Sequence, residues 1–277
     1  MEIKDTVQRA LDFVRQRSPR RQDNADWPIT LNFHPDMSVD GRPAIELMAR
    51  HGTYRSQFET GTSSGGLTAH VGGDRWNWES RIFGQAYDNA DVTLRPKYGA
   101  LNHRRNAVGG SRRFGSSHLR LHAHLRARTS FCYPDSHFEP QDFAIDDVRP
   151  LVALADGNAR SLDPWLDNYI EAHVHGPLVF AEDVEALVLD PSFRGTSVEE
   201  SARALGCPLE WHDGFYLSLD RLAECRAFRG PAAADAIVQI AEGSLVTPET
   251  LWRARDSVLD YQTAKWVWHC MARYGHQ

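Results

Sequence analysis

The segment from Gly52 to Gly66, GTYRSQFETGTSSGG, carries a high density of polar side chains. A buried strand cannot satisfy so many hydrogen-bonding groups, whereas a loop in contact with a polar ligand can. Its glycines allow close backbone approach to a ribose or phosphate, and Arg55 has the planar guanidinium that suits a pyrophosphate. A hydrogen-bonded surface turn is the alternative. The candidate ligand-binding residues here are Arg55, Gln57, Glu59, Thr60, Gly61, Thr62, Ser63, Ser64, Gly65 and Gly66.

Two carboxylates stand alone in apolar, strand-like segments: Glu171 in YIEAHVHG and Glu185 in VEALVLD. A carboxylate in such surroundings needs a partner or has a raised pKa, and catalytic sites use that environment. A salt bridge to one of the many arginines is the competing interpretation for each of them.

Six histidines suggest a metal site as a further alternative, because the two histidines of an HxH pair on a strand project from the same face. No HExxH motif accompanies them, and Arg120 in the same segment as His118 would repel a dication. We therefore favour the interpretation that these are polar-face histidines that hydrogen-bond to the backbone. The residues concerned are His118, His122, His124, His137, His173 and His175.

The charge distribution is uneven along the 277 residues, whose formal net charge is -6. Arginine and histidine crowd positions 95–128, and acidic residues dominate from position 139 onward. A basic region on an acidic protein suggests a phosphate-bearing ligand more than general nucleic-acid binding. A solvated arginine-rich face is the alternative.

The cysteines and the N-terminal segment indicate a cytoplasmic protein. The four cysteines are far apart and form no CxxC pair, so neither a zinc ribbon nor a disulfide framework is expected. The N-terminal segment is charged throughout, and the sequence contains no run of 18 apolar residues, so we expect neither a secretory signal nor a membrane span.

Apolar spacing predicts a helix over residues 3–17, a strand in ITLNFHP ending at His34, and a helix over residues 43–51 closed by Gly52. Strands are also expected at 116–121, 169–180 and 184–190. A further helix is expected to bury the indoles of Trp76 and Trp78. From residue 197 onward the spacing is mainly helical. We therefore predict an α/β (α+β) protein with an N-terminal helix over 1–27, a catalytic-type domain over 28–196, and a helical extension over 197–277 packed on the same core.

Several sequence blocks resemble domain-of-unknown-function family 3626, an uncharacterised family. They lie between residues 30 and 196 and are specific in combination. The resemblance identifies kin and implies no activity. The blocks are LNFHPD, YRSQFETGTSSGG, DRWNWESRIFGQAYD, RPKYGALN, RFGSSHLRL, FCYPDSH, YIEAHVHGPL and VEALVLDPSFRGT.

The order of these blocks is also similar, at the level of fold, to ADP-ribosyltransferases. That resemblance implies a mixed or antiparallel split β-sheet core with flanking helices. It further implies a His or Arg that orients NAD, here His34 or Arg55, and a tyrosine that stacks on nicotinamide, here Tyr98 beside Gly99. A late strand supplies the catalytic glutamate, here Glu185 or Glu171.

The same resemblance makes TGTSS similar to a ribose-contacting serine-threonine strand. The chain departs from the family pattern because no clear ExE or QxE motif precedes Glu185. This departure leaves the acceptor specificity and the activity open.

The leading hypothesis is an NAD-using ADP-ribosyltransferase-like enzyme of toxin or modification type. NAD would be a substrate, and no metal would be required. The acceptor would be a protein, a nucleic acid or a small molecule, with an antitoxin or immunity protein as a further partner. The rivals are a metal-dependent hydrolase using His118, His122, His173 or His175, and a non-catalytic nucleotide-binding or interaction module.

Overall fold

The computed structural model describes residues 3–19, 25–39, 41–61, 68–255 and 257–276. The strands are β1 (Ile29–Phe33), β2 (Ser38–Val39), β3 (Arg42–Pro43), β4 (Thr53–Tyr54), β5 (Lys97–Leu101), β6 (Ser117–Leu121), β7 (Thr129–Tyr133), β8 (Asp142–Ala144), β9 (Ile170–Val174), β10 (Leu178–Val179), β11 (Val184–Leu189), β12 (Leu209–Trp211), β13 (Leu217–Ser218) and β14 (Leu245–Val246).

Helices flank these strands and dominate the C-terminal region. The α-helices are α1 (Ile3–Arg15), α2 (Ala44–His51), α3 (Gln57–Thr60), α4 (Asp74–Ile82), α5 (Arg149–Asp156), α6 (Phe180–Asp183), α7 (Ser197–Arg203), α8 (Leu222–Arg229), α9 (Pro231–Ile240), α10 (Pro248–Ala254) and α11 (Tyr261–Tyr274). Short 3-10 helices span Val92–Leu94, Arg112–Phe114, Ala123–Arg128, Ser136–Phe138, Pro191–Phe193 and Leu219–Arg221.

Eight strands form one mixed sheet in the order β12-β11-β6-β1-β5-β9-β7-β8. All its neighbours pair antiparallel except β11 and β12, which are parallel. The predicted α+β class, with a mixed sheet, flanking helices and a helical C-terminal region, is confirmed.

The pairing between β1 and β5 is confined to one end of these strands. Only Ile29 pairs with Leu101 and Thr30 with Ala100, whereas β1 pairs with β6 as far as Phe33, and β5 pairs with β9 from Lys97 onward. Beyond these two residue pairs, β1 is paired only with β6, and β5 is paired only with β9. The facing edges are therefore open at the end where β1 terminates and β5 begins.

The two faces of the sheet differ in polarity, because successive side chains of a strand project to opposite sides. One face is apolar and packs with residues of α2, α5 and α7 in a single core, to which Leu31, Leu119 and Phe131 contribute. The other face carries polar side chains next to a smaller apolar cluster from α1 and α4. Its buried polar residues are Thr30, Asn32, His118, Ser130, Glu171 and His173.

Several predicted elements are found with small shifts in their ends. Helix α2 ends where expected, at Gly52, whose left-handed φ of 68° suits glycine. Of the two indoles, Trp78 is buried and Trp76 is half-buried. The continuous strand expected over 169–180 is wrong: β9 stops at Val174, Gly176 turns with φ 80°, and β10 pairs with β4 in a separate two-stranded sheet.

The C-terminal helices form their own apolar cluster, which includes Trp252 of α10 and Trp268 of α11. Strand β12 from the same part of the chain joins the edge of the main sheet. None of the helices in the described ranges is long and apolar enough to span a bilayer.

Candidate functional site

A cavity of about 590 Å³ lies at the open end of the sheet, between the end of β1 and the start of β5. This volume is typical of small-molecule and cofactor sites. Residues of β1, β5 and β9 line it, and so do residues of the segment that follows α2. The lining residues include Asn32, Phe33, His34, Met48, Arg50, Tyr54, Arg55, Gln57, Thr60, Arg75, Lys97, Tyr98, Gly99, Ser111, Phe114, Tyr169 and Glu171.

Most of the site residues predicted from the sequence meet in this cavity. They come from four separate parts of the chain, which are the end of β1, the segment around α3, the start of β5, and β9. The predicted residues that line it are His34, Arg55, Gln57, Thr60, Tyr98, Gly99 and Glu171. Two further predicted residues of the polar segment, Glu59 and Gly61, are described but do not line the cavity. The others lie outside the described residues, namely Thr62, Ser63, Ser64, Gly65 and Gly66.

Part of the polar segment is a short helix rather than a loop. Ser56 and Glu59 form a capping box at the start of α3, with the Ser56 amide donating to Glu59 Oε2 at 2.7 Å. Gly61 ends α3 in the left-handed conformation and is not among the residues that line the cavity. Gln57 Oε1 remains a buried acceptor without a partner among the described residues, which leaves it available to a ligand donor.

Gly99 lines the cavity because β1 lies very close to it. A Cβ atom at this position would lie 2.5 Å from the Thr30 carbonyl oxygen, so only glycine fits. The close approach of the two backbones explains this glycine without a ligand.

Glu171 is buried at the wall of the cavity, on β9. Its Oε1 accepts from the Ser136 amide at 3.3 Å, its Oε2 accepts from the Ser136 hydroxyl at 3.2 Å, and His173 Nε2 lies 3.1 Å from Oε1. Burial raises the pKa of Glu171 to about 7, against the opposing effects of nearby Arg75 and the Ser136 hydrogen bonds. This carboxyl group can therefore exchange its proton near neutral pH.

A buried chain of hydrogen bonds continues from Glu171 away from the cavity. His173 Nδ1 lies 3.1 Å from Ser130 Oγ, which lies 2.9 Å from His175 Nε2, and His175 Nδ1 lies 2.6 Å from the Tyr87 hydroxyl. Burial lowers the pKa of both imidazoles, so both are neutral. When the Tyr87 hydroxyl donates to His175 Nδ1, His175 Nε2 donates to Ser130 Oγ and the Ser130 hydroxyl donates to His173 Nδ1. His173 Nε2 then donates to the Glu171 carboxylate, so all of these hydrogen bonds run in one direction.

Arg75 of α4 is a second buried charge at the cavity, and sequence reasoning missed it. Its guanidinium lies 4.0 Å from the ring centroid of Tyr98 and donates to Ser136 Oγ at 3.1 Å. Its Nε has no partner among the described residues. Arginine on a helix is usually solvated, so only the tertiary packing reveals this buried cation.

Tyr98 is held within the protein on more than one side. Its hydroxyl donates to Glu79 Oε1 at 2.8 Å, and Glu79 in turn pairs with Arg95 at 2.6 Å. Arg75 covers one face of the ring. The face of the Tyr98 ring that Arg75 occupies is therefore closed to nicotinamide, the group on which Tyr98 was expected to stack.

His34 is positioned by the C-terminal helices. Trp252 Nε1 donates to His34 Nδ1 at 2.9 Å, and the Trp268 ring lies edge-on with its centroid at 4.6 Å. Burial lowers the pKa of His34 to about 3, so the imidazole is neutral. Since Nδ1 accepts a hydrogen bond, the ring proton is on Nε2, which can donate to a ligand.

Glu185, the other candidate for the catalytic carboxylate, does not join these residues. Its side chain is 48% exposed and accepts from Arg120 Nε at 3.1 Å, while Arg120 also pairs with Glu210 at 2.6 Å. Two strands, β6 and β1, separate β11 from β5 in the sheet. Glu185 instead lines a second cavity of about 550 Å³ near the start of β1.

The histidines do not gather at one place. His118 and His122 line the second cavity, whereas His173 and His175 are buried near Glu171. His124 instead pairs with Asp183 at 3.0 Å. The set of His118, His122, His173 and His175 proposed for a hydrolase is therefore divided between two regions.

The basic stretch 95–128 is largely occupied by contacts within the protein. Arg104 donates to the carbonyl oxygens of Asn168 and Ala155, and Arg113 pairs with Asp167. The basic side chains at the first cavity are instead Arg50, Arg55, Arg75 and Lys97, of which only Lys97 belongs to that stretch.

Comparison with known proteins gives a family assignment. A family model described as "Protein of unknown function (DUF3626)" matches residues 28–155 and 147–274. No match was found among curated proteins. The two matched segments contribute neighbouring strands to one sheet, since β9 from the second lies between β5 and β7 from the first. The chain belongs to the DUF3626 family.

Proposed function

We propose that this protein is an NAD-dependent ADP-ribosyltransferase-like enzyme whose reaction takes place in the cavity between β1 and β5. The observation that carries the proposal is the meeting of a buried carboxylate, Glu171, with His34 and Arg55 in that cavity. Glu171 lies far from the other two in the sequence. The resemblance to ADP-ribosyltransferases implied that His34 or Arg55 orients NAD and that Glu185 or Glu171 is the catalytic carboxylate.

Glu171 suits the chemistry of N-glycosidic cleavage. As the bond between C1′ and the nicotinamide nitrogen breaks, nicotinamide leaves with the bonding electrons and the ribose acquires oxocarbenium character. A carboxylate that holds the ribose 2′-hydroxyl stabilises this positive charge. The acceptor nucleophile then forms a bond to C1′ and loses its proton to a base or to water.

The surroundings of Glu171 favour this role. Ser136 donates to both carboxylate oxygens, and His173 contacts Oε1, so the orientation of the group is held before substrate binds. Glu171 makes no salt bridge to Arg75, whose charge still favours the ionised form. The carboxylate therefore remains available to a substrate hydroxyl.

The walls of the cavity suit the rest of the dinucleotide. Arg55 and Arg50 supply positive charge for the pyrophosphate, with the buried charge of Arg75 nearby. His34 donates through Nε2, and Gln57 Oε1 accepts, as ribose hydroxyls require. Because Arg75 covers Tyr98, we assign contact with nicotinamide to the other aromatic residues of the wall, namely Phe33, Tyr54, Phe114 and Tyr169.

The test measures nicotinamide release from NAD by the purified protein, alone and with a cell lysate as a source of acceptor. We expect release by the wild type and a loss of about 100- to 1,000-fold in Glu171→Gln, the scale seen when one electrostatic contact to a transition state is removed. Glu185→Gln is the matched control, because it makes the same change on an exposed strand carboxylate, and its rate should stay within about twofold of wild type.

Three results would contradict the proposal or part of it. Full turnover by Glu171→Gln would remove its catalytic carboxylate. Binding of NAD without nicotinamide release would instead favour a non-catalytic nucleotide-binding module. Absence of both binding and release would exclude NAD as the ligand.

The acceptor belongs to the same proposal and is identified by the fate of labelled ADP-ribose. Label that is lost on protease treatment marks a protein acceptor, label that is lost on nuclease treatment marks a nucleic acid, and label that passes a size filter marks a small molecule or water. A toxin-type enzyme in the cytoplasm would also need an antitoxin or immunity protein, which co-purification from its own host would detect.

A further inference from the structure

Three side chains capable of metal binding meet behind the wall of the first cavity. Cys132 of β7 pairs with Glu171 of β9 in the sheet, and His173 projects from the same face two positions along β9. Cys132 Sγ lies 3.9 Å from Glu171 Oε1 and 3.8 Å from His173 Nε2, and these two atoms lie 3.1 Å apart. All three side chains are buried.

The size of this triangle fits a transition-metal ion. With metal–nitrogen and metal–oxygen bonds near 2.0 Å and a metal–sulfur bond near 2.3 Å, a tetrahedral site separates its ligand atoms by roughly 3.3–3.6 Å. The distances of 3.1, 3.8 and 3.9 Å differ from that range by a few tenths of an ångström. Small side-chain movements therefore suffice to accommodate the ion.

The donor types select the class of cation. One thiolate, one imidazole and one carboxylate suit zinc and chemically similar ions, whereas magnesium and calcium prefer sites made only of oxygen. To bind the ion through Nε2, His173 must carry its ring proton on Nδ1, so the hydrogen-bond chain through Ser130 reverses its direction when the metal binds. His173 Nδ1 then donates to Ser130 Oγ, 3.1 Å away, and Ser136 donates to Glu171, which are outer contacts of the kind that metal sites use.

Charge and access are both compatible with such an ion. Arg75 lies near the site, but Cys132 would lose its thiol proton to solvent on binding, and the thiolate and the Glu171 carboxylate together neutralise a dication. The cation, the Cys132 thiolate and the Glu171 carboxylate together would carry no net charge, so the ion would not be repelled strongly by Arg75. Glu171 lines the cavity, so an ion can reach the site from that side.

We infer that Cys132, Glu171 and His173 bind one zinc-like divalent cation, and that the bound ion withdraws Glu171 from the reaction. The first part is independent of the proposed function. The second part rests on it, because inhibition requires that Glu171 act on the ribose of NAD. Zinc would then act as an inhibitor of this enzyme.

Binding is tested by titrating the metal-free, full-length protein with Co²⁺, since a cobalt–thiolate bond gives a charge-transfer absorption band. We expect one ion per chain and a band that disappears in Cys132→Ser, with affinity reduced more than about 100-fold. His173→Gln should lower the affinity to a similar extent. Cys207→Ser is the control, because Cys207 is a half-exposed cysteine outside the triangle, and it should keep both the band and the affinity.

A second measurement covers the possibility that a ligand variant folds poorly. Zn²⁺ should raise the Tm of wild type and of Cys207→Ser, two proteins that retain all three ligands. Absence of a cobalt–thiolate band and of a Tm shift in wild type would overturn the site, as would a band that persists in Cys132→Ser.

Inhibition is tested by the ratio of nicotinamide release without and with Zn²⁺. The ratio should reach at least about tenfold in wild type and fall toward one in Cys132→Ser, whatever the basal rate of that variant. Cobalt binding without any inhibition by zinc would overturn the second part alone. If wild type released no nicotinamide at all, the proposed function would fail, while the cobalt result would still decide the metal site.

Discussion

The two cavities lie at opposite ends of β1 and have similar volumes, and each contains one of the two strand carboxylates that the sequence singles out. Glu171 is 5% exposed and is surrounded by hydroxyl, amide and imidazole groups. Glu185 is an exposed carboxylate that shares Arg120 with Glu210. The same residue type, on two strands of one sheet that β6, β1 and β5 separate, thus has two different surroundings.

This difference indicates what makes a strand carboxylate available for chemistry. Glu185 is satisfied by an ion pair in contact with solvent, where its charge costs little. Glu171 is desolvated and forms no ion pair with a lysine or arginine of the described ranges, so its pKa rises to about 7. The carboxylate at the first cavity is buried and hydrogen-bonded but has no directly paired cation among the described residues, whereas the carboxylate at the second cavity is exposed and paired with an arginine.

The largest effect we predict concerns the ion pairs beside the two cavities. Arg95 and Glu79 form a fully desolvated pair at 2.6 Å, whereas the Arg120–Glu185 pair is partly exposed. In Glu79→Gln the charge of Arg95 stays buried without its carboxylate, so the free energy of unfolding should fall by about 3–5 kcal/mol. Urea or thermal unfolding measures this change.

Glu185→Gln provides the comparison, with an expected loss of at most about 1 kcal/mol because solvent screens the pair. Equal losses in the two variants would show that burial does not separate the two regions energetically.

Sequence patterns predicted much of the fold, because apolar spacing reflects which face of an element is buried. Strand β1 and helix α2 were found as expected, and so was the helical C-terminal region. Patterns could not choose between Glu171 and Glu185, since both are single acids in apolar segments. The order of strands in the sheet brings Glu171, and not Glu185, to the first cavity, and strand order depends on long-range pairing.

The missed site residues have the same explanation. Arg75 has the sequence context of a solvated helix residue, and only the packing of α4 on the sheet buries it. Trp252 is 218 positions away from His34 in the chain, yet it donates to that ring. The residues next to Arg75 and Trp252 in the sequence do not indicate these contacts, whereas the density of polar residues around Arg55 is visible in the sequence itself.

A pH-dependent effect is expected from buried histidines, which occur in both regions. Burial lowers the pKa of His34 at the first cavity and of His118 at the second to about 3, from 6.5. The unfolded chain then binds protons that the folded chain does not. The stability from each neutral histidine is complete above about pH 6.5 and is lost as the pH falls toward 3, by about 1.4 kcal/mol for each pH unit.

His118→Gln should reduce this pH dependence without removing it, because His34 still contributes. Chemical unfolding of the two proteins at intervals between pH 7 and 4 gives the measurement. A slope equal to that of wild type in His118→Gln would assign the acid sensitivity to other groups.

The smallest effect we predict is a change in the KM for NAD when a tryptophan next to one of the two cavities is replaced. Trp252→Phe keeps an aromatic ring against His34 but removes the indole N–H that Nδ1 accepts. The imidazole then loses the contact that sets its ring proton on Nε2, so we expect the KM for NAD to rise about tenfold while kcat changes less. Trp211→Phe is the matched control, because Trp211 lines the second cavity. An equal rise in KM for both variants, or a fall in kcat alone for Trp252→Phe, would show that the C-terminal helices do not act on NAD binding through His34.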